Sequence, residues 1–586
     1  MKKIIFTISI LTGFALQAWA YDFQSGDLLY TVNDSNSPEV RLVGHVDGTA
    51  ALGELVIPET VTYDGVIYKV TVIGKNAFRL CNGLTGNLVI PNSIREIKAG
   101  AFYGCTGFYG DLVIPNSVTE INIDNSPDTS VPGAFEGCIG FNGSLVLSNS
   151  LEIIGDAQNG GCFAECVNLT GELVIPNTVT FIGGMAFLGC KGLTGTLVIP
   201  ESVIKINDFA FAGCSGFENV VFPSKPFVSG DYLFAGCTNL THIDIPEGWM
   251  TMGDFIFFNC TGLLSVHLPN SLLEINRSAF EQCLNLKKIN LPERLNRIGI
   301  GAFASCKRLK ELLFPKNLNT IGSWALRRTG LSGEVIVPDS VRRIELYTFD
   351  SSVYVTKIVL GNSINYISEP AFRDSRLESM IIRASTPPEL SRLANQVNLP
   401  FDLPITIPCG TLEAYQNADG WNEFTNIQEG VTDLFSVTSV DVSLGIVSIL
   451  KEASCEDRSV KVIASPNEGC EFLYWRANGE LVSYENPYVF ELEEDTELVA
   501  YFSGTGVVEK DLLFSISPNP TTGFVTVTGE NLQQAEVFNT LGQQVLSVQG
   551  SGNEMQINMS AFPAGIYFVA VTNEEGRRCV QKVVRE

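Results

Sequence analysis

The stretch LVIPNSIREIKAGAFYGCTGFYGD, residues 88–111, decides the fold because the chain repeats it many times. The next copy begins with LVIPNS at Leu112, and a later copy begins with LVIPNT at Leu173. A proline follows each apolar run except in two units, where Ser148 and Gly361 take its place, and from Pro200 to Pro338 these prolines lie 23 residues apart. We count 13 units of this kind. One unit cannot bury its apolar side chains alone, so the pattern predicts a solenoid of stacked units.

Within one unit, the pattern predicts strands and turns around a shared core. In LVIP the Leu and Ile side chains point inward and the Val side chain points outward, because side chains alternate along a strand. The AF pair, as in Ala101-Phe102, predicts a short helical or 3₁₀ turn on the convex side. Ile-Asn and Ile-Gly pairs, such as those ending at Asn122 and Gly299, predict turn residues with positive φ. The predicted fold class is a leucine-rich-repeat solenoid whose strands form the concave face.

The first 20 residues predict export. Lys2 and Lys3 precede an apolar run that ends near Leu16, and the segment AWA supplies the small residues that signal peptidase needs. We predict cleavage after Ala20. The apolar run is too short to cross a membrane, and no later run reaches about 18 apolar residues. The mature protein is therefore expected to have no transmembrane span.

Composition narrows the list of partners. The net charge of −26 would repel duplex DNA and anionic membranes, so neither is an expected partner. The simplest role of this charge is solubility. The hydrophobic share of 45% indicates a folded chain with a core.

The cysteines follow the repeat. The last three units carry Thr329, Ser352 and Ser375 at the cysteine place, and a hydroxyl cannot replace half of a disulfide. We therefore predict a buried ladder of reduced structural cysteines. A zinc site is the alternative, although stacked coils present single ligands rather than Cys-x-x-Cys pairs. Cys455 and Cys470 share a later module and are the disulfide candidates. The ladder consists of Cys81, Cys105, Cys138, Cys166, Cys190, Cys214, Cys237, Cys260, Cys283 and Cys306.

One outward position of the strands forms what we call the valine column. Same-place residues of successive coils should be lateral neighbours, so the column should form a stripe. It is apolar except at one place, the polar island, which comprises Asp244, His267 and Asn290 with His242 beside them. The members of the column are Val56, Val89, Val113, Val146, Val174, Val198, Val221, Asp244, His267, Asn290, Leu313, Ile336 and Val359.

Three interpretations of this column stay open. Valine suits any sheet, so the stripe can reflect β-propensity alone. An apolar stripe on an exposed face is also typical of a partner-binding surface, with the polar island as a specificity spot. A metal site at His242, Asp244 and His267 is the third interpretation, although the two histidines lie in different columns.

The chain shows no pattern typical of an enzyme. It has three histidines, and we find no Gly-rich phosphate loop, nucleophile elbow or paired-histidine zinc motif. We therefore expect no catalytic activity, no cofactor and no metal. An enzyme hidden in the solenoid is the alternative.

The consensus of these units resembles the BspA-like (Treponema-type) leucine-rich repeats of bacterial surface proteins. The opening YDFQSGDLLYTV resembles the N-terminal cap of that family. The segment ITIPCGTLEAYQNADGWNEFTNI, from Ile405, resembles its closing coil and cap. The resemblance implies a protein-binding or adhesive role outside the cell.

Two further resemblances lie after the repeat. The segment FLYWRANGELVSYENPYVFELEEDTELVAYF, from Phe472, resembles the InlB B-repeat modules of bacterial surface proteins. The blocks ISPNPTTGFVTV, VFNTLGQQVL, FPAGIYFVAV and VQKVVRE resemble the type A C-terminal sorting domain of the type IX secretion system of Bacteroidetes. That family implies passage through the outer membrane and attachment at the cell surface. An ordinary terminal β-sandwich is the alternative.

The whole chain is thus expected to be a solenoid followed by two small all-β modules. The predicted segments are a signal peptide (1–20), an N-terminal cap (21–54), the leucine-rich-repeat solenoid (55–385), its C-terminal cap (386–430), an InlB B-repeat-like module (431–504) and the sorting domain (511–586).

Two functions fit these expectations. The first is adhesion, in which the concave face of a secreted or surface-anchored solenoid binds an extracellular protein of host matrix, host cell or another bacterium. The second is capture of a surface glycan or nutrient beside other surface proteins. Outward aromatic residues on the concave strands would favour the second function, and the sequence has few there.

Overall fold

The computed structural model describes residues 21–34, 37–122, 132–155, 161–391, 399–467, 469–503, 514–518, 521–529, 531–539, 544–550, 552–573 and 578–585. The predicted signal peptide lies outside these residues. The chain divides into two compact units, one that ends at Glu429 and one that begins at Gly430. The predicted solenoid is confirmed in the first unit, which has about 15 turns.

The first set of strands, which we call the A strands, lies at or next to the Leu-Val pair of the units. Neighbouring A strands are parallel, and equivalent residues face each other, as Val113 faces Val146 and Asp244 faces His267. Three A strands beyond the 13 predicted units continue the stack. The A strands are Gly53–Val56, Leu84–Val89, Leu112–Val113, Leu145–Val146, Gly171–Glu172, Leu193–Val198, Phe217–Val221, His242–Asp244, Ser265–His267, Lys288–Ile289, Ser332–Ile336, Tyr354–Leu360, Ser379–Ile382, Ile405–Pro408 and Ile427–Gly430.

A second set of parallel strands, the B strands, was not predicted. Most are two residues long and end at the isoleucine that we interpreted as the start of a turn. The B strands are Val66–Ile73, Glu96–Ile97, Glu120–Ile121, Ile153–Ile154, Phe181–Ile182, Lys205–Ile206, Val228–Ser229, Glu274–Ile275, Arg297–Ile298, Thr320–Ile321, Arg343–Ile344, Tyr366–Ser368 and Glu389–Ser391.

Gly155, after the B strand Ile153–Ile154, has the predicted positive φ of 78°, but Gly299 has a different role. Asn122 has φ of 62°, as expected, but Gly299 does not have a positive φ. A Cβ on Gly299 would instead lie 2.7 Å from the backbone carbon of Asn276 in the preceding coil. Glycine is needed there because stacked coils approach too closely for a side chain.

The AF segments are turns, and backbone hydrogen bonds link each of these turns to the equivalent turn of the next coil. The Phe187 N–H donates to the Ala210 carbonyl oxygen at 2.8 Å, and the same bond recurs along the stack. Residues two before and two after the phenylalanine have positive φ, as at Met185 (56°) and Gly189 (71°). Among the described residues, 3₁₀ geometry occurs at one of these segments, Glu369–Phe372.

Side chains also link each coil to the next. The Asp208 Oδ1 atom accepts a hydrogen bond from the Asp231 N–H at 2.8 Å. Asp231 does the same for the Asp254 N–H at 2.8 Å, and Asp254 for the Arg277 N–H at 3.1 Å. Each of these bonds spans one unit of 23 residues, so the side chain of one coil satisfies a backbone donor of its neighbour.

The core contains a stack of phenylalanine rings from the AF pairs, which runs from Phe78 to Phe303 and resumes at Phe349 after Leu326. Phe187 and Phe211 are parallel within 2°, with centroids 5.4 Å apart. At the end of this core Trp421 is buried, and its Nε1–H donates to the Pro388 carbonyl oxygen at 2.7 Å. This end carries the α-helix Leu412–Asn417 and the 3₁₀ turn Trp421–Glu423. The N-terminal end carries the strands Phe23–Ser25, Leu28–Asp34, Ser37–His45 and Thr60–Tyr63 and the 3₁₀ turn Gly48–Ala50.

The second unit consists of β-strands arranged in four small sheets. The strands Phe435–Ser439, Thr496–Ser503, Glu471–Ala477 and Glu480–Ser483 form one sheet, and Gly445–Lys451, Ser459–Pro466 and Tyr488–Glu491 form another. The strands Ser515–Ser517, Phe524–Thr528 and Glu554–Asn558 form the third sheet, and Gln544–Gln549, Leu532–Phe538, Gly565–Asn573 and Arg578–Arg585 form the fourth. The third and fourth sheets share one apolar core around Val537 and Val569. The resemblance of residues 431–504 to InlB B-repeats stays a prediction.

Candidate binding face of the A strands

The valine column lies on the outer surface of the A strands. Leu88 and Ile90 are 5% and 7% exposed, whereas Val89 between them is 68% exposed. The seven valines from Val56 to Val221 are between 45% and 74% exposed. Val359 is buried, so the exposed column ends at Ile336 rather than one coil later.

The predicted valines of this face keep the expected lateral order. Val56 pairs with Val89, Val113 with Val146, and Val198 with Val221. Val174 is exposed in the coil between the last two of these pairs. The exposed valines of this face are Val56, Val89, Val113, Val146, Val174, Val198 and Val221.

The polar island is exposed in three successive coils. Asp244 faces His267 directly, and the His242 Nδ1 atom lies 2.6 Å from the Ser265 Oγ atom of the next coil. Asn290 differs from the others because its side-chain amide bonds to the Leu268 backbone, at 3.4 Å to both the N–H and the carbonyl. Asn290 thus extends the strand pairing, which is a structural role. Within the described residues, no group of three or more His, Cys, Asp or Glu side chains is arranged to hold a metal ion.

The ten ladder cysteines are buried free thiols. Each donates to a carbonyl oxygen of the preceding coil, as Cys214 Sγ does to the Phe187 oxygen at 3.0 Å and Cys260 Sγ to the Phe234 oxygen at 3.1 Å. Burial raises the pKa of Cys214 and of Cys260 to about 12. Protonated, buried thiols of this kind are unsuited to metal binding, because a ligand must be a thiolate.

The proposed pairing of Cys455 with Cys470 is wrong. Cys470 is a free thiol in the described part of the chain, so it does not contribute to a disulfide. Cys470 lies in the turn just before the strand Glu471–Ala477 and is half-buried. Two cysteines in one small module were the only signal for the pairing, and proximity in sequence does not fix the geometry that a disulfide needs.

A charged triad in the last coils was missed by the sequence analysis. The carboxylate of Asp350 is fully buried and accepts hydrogen bonds from Arg327 Nε at 2.7 Å and Arg373 Nε at 2.7 Å. Burial alone would raise the pKa of Asp350, but the two guanidinium groups outweigh it and hold that pKa below its ordinary value. The three residues are 23 apart, so the spacing of opposite charges could have revealed the triad.

Outward aromatic residues are present mainly on the turns, although Tyr354 begins the A strand Tyr354–Leu360 and is 62% exposed. Phe209 stacks on Tyr232 at 4.5 Å, and Tyr232 stacks on Phe255 at 4.3 Å. Arg277 covers the Phe255 ring at 5.4 Å from its centroid. The stacked faces of these rings are therefore covered by their neighbours, and mainly the ring edges contact solvent.

The fold and this repeated face define a leucine-rich-repeat protein, and the chain belongs to one family of that class. Residues 61–156, 158–287 and 273–388 match the BspA type leucine-rich repeat region. Residues 515–586 match the secretion system C-terminal sorting domain. Both are structural or sorting families rather than enzyme families. The sorting domain makes the chain a secreted or outer-membrane surface protein that uses the type IX secretion machinery.

Several solved structures are similar to the chain. A leucine-rich repeat protein from Bacteroides ovatus is 23% identical, with a TM-score of 0.44, and the match covers 70% of this chain and 100% of that one. A leucine-rich cell surface protein from Faecalibacterium prausnitzii is 21% identical, with a TM-score of 0.40 and coverage of 64% and 95%. The pneumococcal vaccine antigen PcpA is 20% identical, with a TM-score of 0.39 and coverage of 70% and 96%. No curated protein matches the chain. None of the described helices is long and apolar enough to cross a membrane.

Proposed function

We propose that this protein is a non-catalytic adhesin that binds an extracellular protein through the valine column and the polar island. The observation that carries the proposal is the row of seven exposed valines on neighbouring coils. Soluble proteins seldom expose a contiguous apolar surface of this kind unless a partner covers it. The sorting domain supports the proposal, since it brings this surface to the outside of the cell.

The polar island would supply specificity on this apolar surface. Asp244, His242 and His267 present hydrogen-bonding groups within two coils, at one end of the valine stripe. A partner that matches them gains orientation, whereas a purely apolar partner leaves them without bonds. Asn290 is excluded from this role because its amide already bonds to the Leu268 backbone.

The experiment compares two pairs of substitutions in the full chain. Val174→Asp plus Val198→Asp places two charges in the valine column, and Ile204→Asp plus Val228→Asp places two charges on exposed positions at the B strands of neighbouring coils. We expect beads coated with the first variant to lose at least about tenfold in adhesion to deposited extracellular matrix, and beads with the control to adhere like wild type.

Three outcomes would decide the matter. Unchanged adhesion of the valine variant, with its unfolding midpoint intact, would refute the valine column as the binding face. Equal loss in both variants would show a general charge effect and would also refute it. For the polar island, His242→Ala plus His267→Ala should lower adhesion, and unchanged adhesion to every matrix protein would remove the island from the proposal.

A further inference from the structure

The charge of the solenoid changes sign along its length. Residues 21–276 contain 9 Lys or Arg against 26 Asp or Glu, a net charge of −17. Residues 277–383 contain 17 Lys or Arg against 10 Asp or Glu, a net charge of +7. The chain as a whole has a net charge of −26, so this basic segment creates a local positive potential that can attract an anionic ligand.

Six of the 17 basic residues of this segment lie on one edge of three neighbouring coils, which we call the cationic strip. They lie between the turn of the AF pair and the first residue of the A strand, and all six are exposed. Within the described residues, none of them forms an ion pair, in contrast to Lys357, which pairs with Glu334 at 2.8 Å. The strip consists of Lys287, Lys288, Lys307, Arg308, Lys310 and Arg328.

The stacking of the coils brings these cations together. Lys310 lies 23 residues after Lys287 and therefore one coil further, about 4.8 Å along the solenoid. At the place equivalent to Lys307, the next coil has Gly330, whose backbone packs against the Lys307 carbonyl. The carboxylate of Glu311 lies beside Lys310, but it pairs with none of the described lysines. Unpaired cations at this spacing favour a linear polyanion.

Trp324 adds an aromatic surface in the turn that leads to Arg328. One face of its ring stacks on Tyr347 at 6.2 Å, with the planes 8° apart. The equivalent residue of the preceding coil is Gly301, which has no side chain to cover the other face. Trp324 is 41% exposed, unlike Tyr232, whose ring stacks on Phe209 and on Phe255. An open indole face suits the apolar face of a sugar ring.

We propose that the cationic strip and Trp324 bind an anionic polysaccharide, with sulfate or carboxylate groups on the cations and a sugar ring on the indole. The proposal is independent of the valine column and goes beyond the adhesive function proposed above. A polysaccharide is a suitable ligand at this location, since the sorting domain brings the protein outside the cell, where such polymers occur. A duplex stacks its bases inside the helix and offers no free ring face to Trp324, whereas a polysaccharide does.

The test measures binding of the purified full chain to dextran sulfate and to polygalacturonate, with uncharged dextran as the blank. We expect binding to both anionic polymers at 50 mM NaCl, and at least about tenfold weaker binding at 300 mM NaCl because salt screens exposed charges. Lys307→Glu plus Lys310→Glu should weaken binding at least about tenfold. The matched control Lys191→Glu plus Lys225→Glu changes the net charge equally at exposed places in coils before the strip, and should bind like wild type.

The role of Trp324 separates a sugar from other polyanions. Trp324 has φ of 60°, so Trp324→Asn removes the ring and keeps a residue that tolerates this conformation. It should weaken dextran sulfate binding several-fold and leave poly-glutamate binding unchanged. Phe255→Asn, at the equivalent place with φ of 56°, should change neither.

The proposal is overturned if the control lysine pair weakens binding as much as the strip pair, or if neither polymer binds at 50 mM NaCl. Tighter binding of single-stranded DNA than of both polysaccharides would also overturn it. So would salt-sensitive self-association in sedimentation that the strip variant abolishes, because the occupant would then be a second copy. If the reversal variant unfolds, Lys307→Ala plus Lys310→Ala replaces it.

Discussion

The coils that carry a thiol at the cysteine place and the coils that carry a hydroxyl there both fill it with a small side chain that donates a hydrogen bond. In the thiol coils, Cys260 Sγ donates to the Phe234 carbonyl oxygen of the preceding coil at 3.1 Å. In the hydroxyl coils, Ser352 Oγ donates to the Leu326 carbonyl oxygen of the preceding coil at 2.8 Å. Thr329 Oγ1 instead donates to the Leu326 carbonyl oxygen of its own coil at 2.9 Å, so the place accepts any small buried donor and sulfur itself is dispensable. The ladder cysteines of this exported chain are packing residues, which explains why they form no disulfides.

The largest expected effect concerns thiol reactivity. Burial raises the pKa of Cys166 and Cys214 to about 12, so at pH 8 the ladder should react with an aromatic disulfide reagent at least about a thousandfold more slowly than an exposed thiol. A thiol introduced by Ser375→Cys, at a half-buried place, should react rapidly. One introduced by Ser352→Cys, at a fully buried place, should stay silent. Mass spectrometry locates the labels, and rapid labelling of Cys214 in the folded chain would contradict the ladder.

The second effect concerns the charged triad, which the thiol coils lack. Asp350→Ala should lower the free energy of unfolding by about 2 to 3 kcal/mol, since two guanidinium groups lose their partner. The cost falls below that of a fully buried pair because Arg327 and Arg373 are each 33% exposed. Urea denaturation measures it. Arg95→Ala, which breaks the exposed pair with Glu39, should cost less than about 1 kcal/mol.

The same triad gives a pH dependence. The pKa of Asp350 is lower in the folded chain than in the unfolded chain, so its contribution is fully present above about pH 4. This stabilising contribution is lost as the pH falls through the lowered pKa that Asp350 has in the folded chain. The difference in unfolding free energy between wild type and Asp350→Asn should therefore be constant from pH 5 to 7 and shrink below about pH 4. A difference that grows on acidification would show that the triad does not depend on the ionised carboxylate.

The smallest effect is expected when the thiol and the hydroxyl are exchanged at the cysteine place. Cys260→Ser and Ser352→Cys each keep a donor, so each should change the free energy of unfolding by less than about 1 kcal/mol. Cys260→Ala and Ser352→Ala remove the donor and should each cost about 1 to 2 kcal/mol. Urea denaturation of all four variants measures this. An alanine variant as stable as wild type at either place would show that the hydrogen bond is not what selects the residue there.

Much of the first unit could be predicted from its period. The alternation in LVIP placed Leu88 and Ile90 inside and Val89 outside, and the hydroxyls of Thr329 and Ser352 pointed to a reduced ladder. These predictions succeed because each depends on a choice repeated many times along the chain. A single unit would not distinguish a buried thiol from half of a disulfide.

The B strands and the positive-φ residues could not be predicted in the same way. A strand of two residues such as Glu96–Ile97 has no alternation to detect, and it is held by its neighbours rather than by its own preference. Phe209 and Tyr232 have φ of 59° and 55°, which aromatic residues rarely adopt. Stacking against adjacent rings stabilises them there, and that interaction exists only once the coils are assembled.

The candidate site was predicted in position but not in detail. The lateral pairing of Asp244 with His267 follows from the period, whereas the structural role of Asn290 depends on a bond to the Leu268 backbone that no sequence pattern reveals. The cationic strip was within reach of the sequence. It was missed because the net charge of −26 was averaged over the whole chain rather than counted coil by coil.

The carboxylate links between coils make the length of this protein adjustable. Because Asp208 holds the Asp231 N–H and Asp231 holds the Asp254 N–H in the same manner, removal of residues 231–253 would let Asp208 hold the Asp254 N–H instead. A gene that gains or loses 23 codons at such a place would keep both ends of the solenoid intact while it lengthens or shortens the display between them. The bonds that hold one coil to the next therefore also permit the molecule to vary its reach in whole units without a new fold.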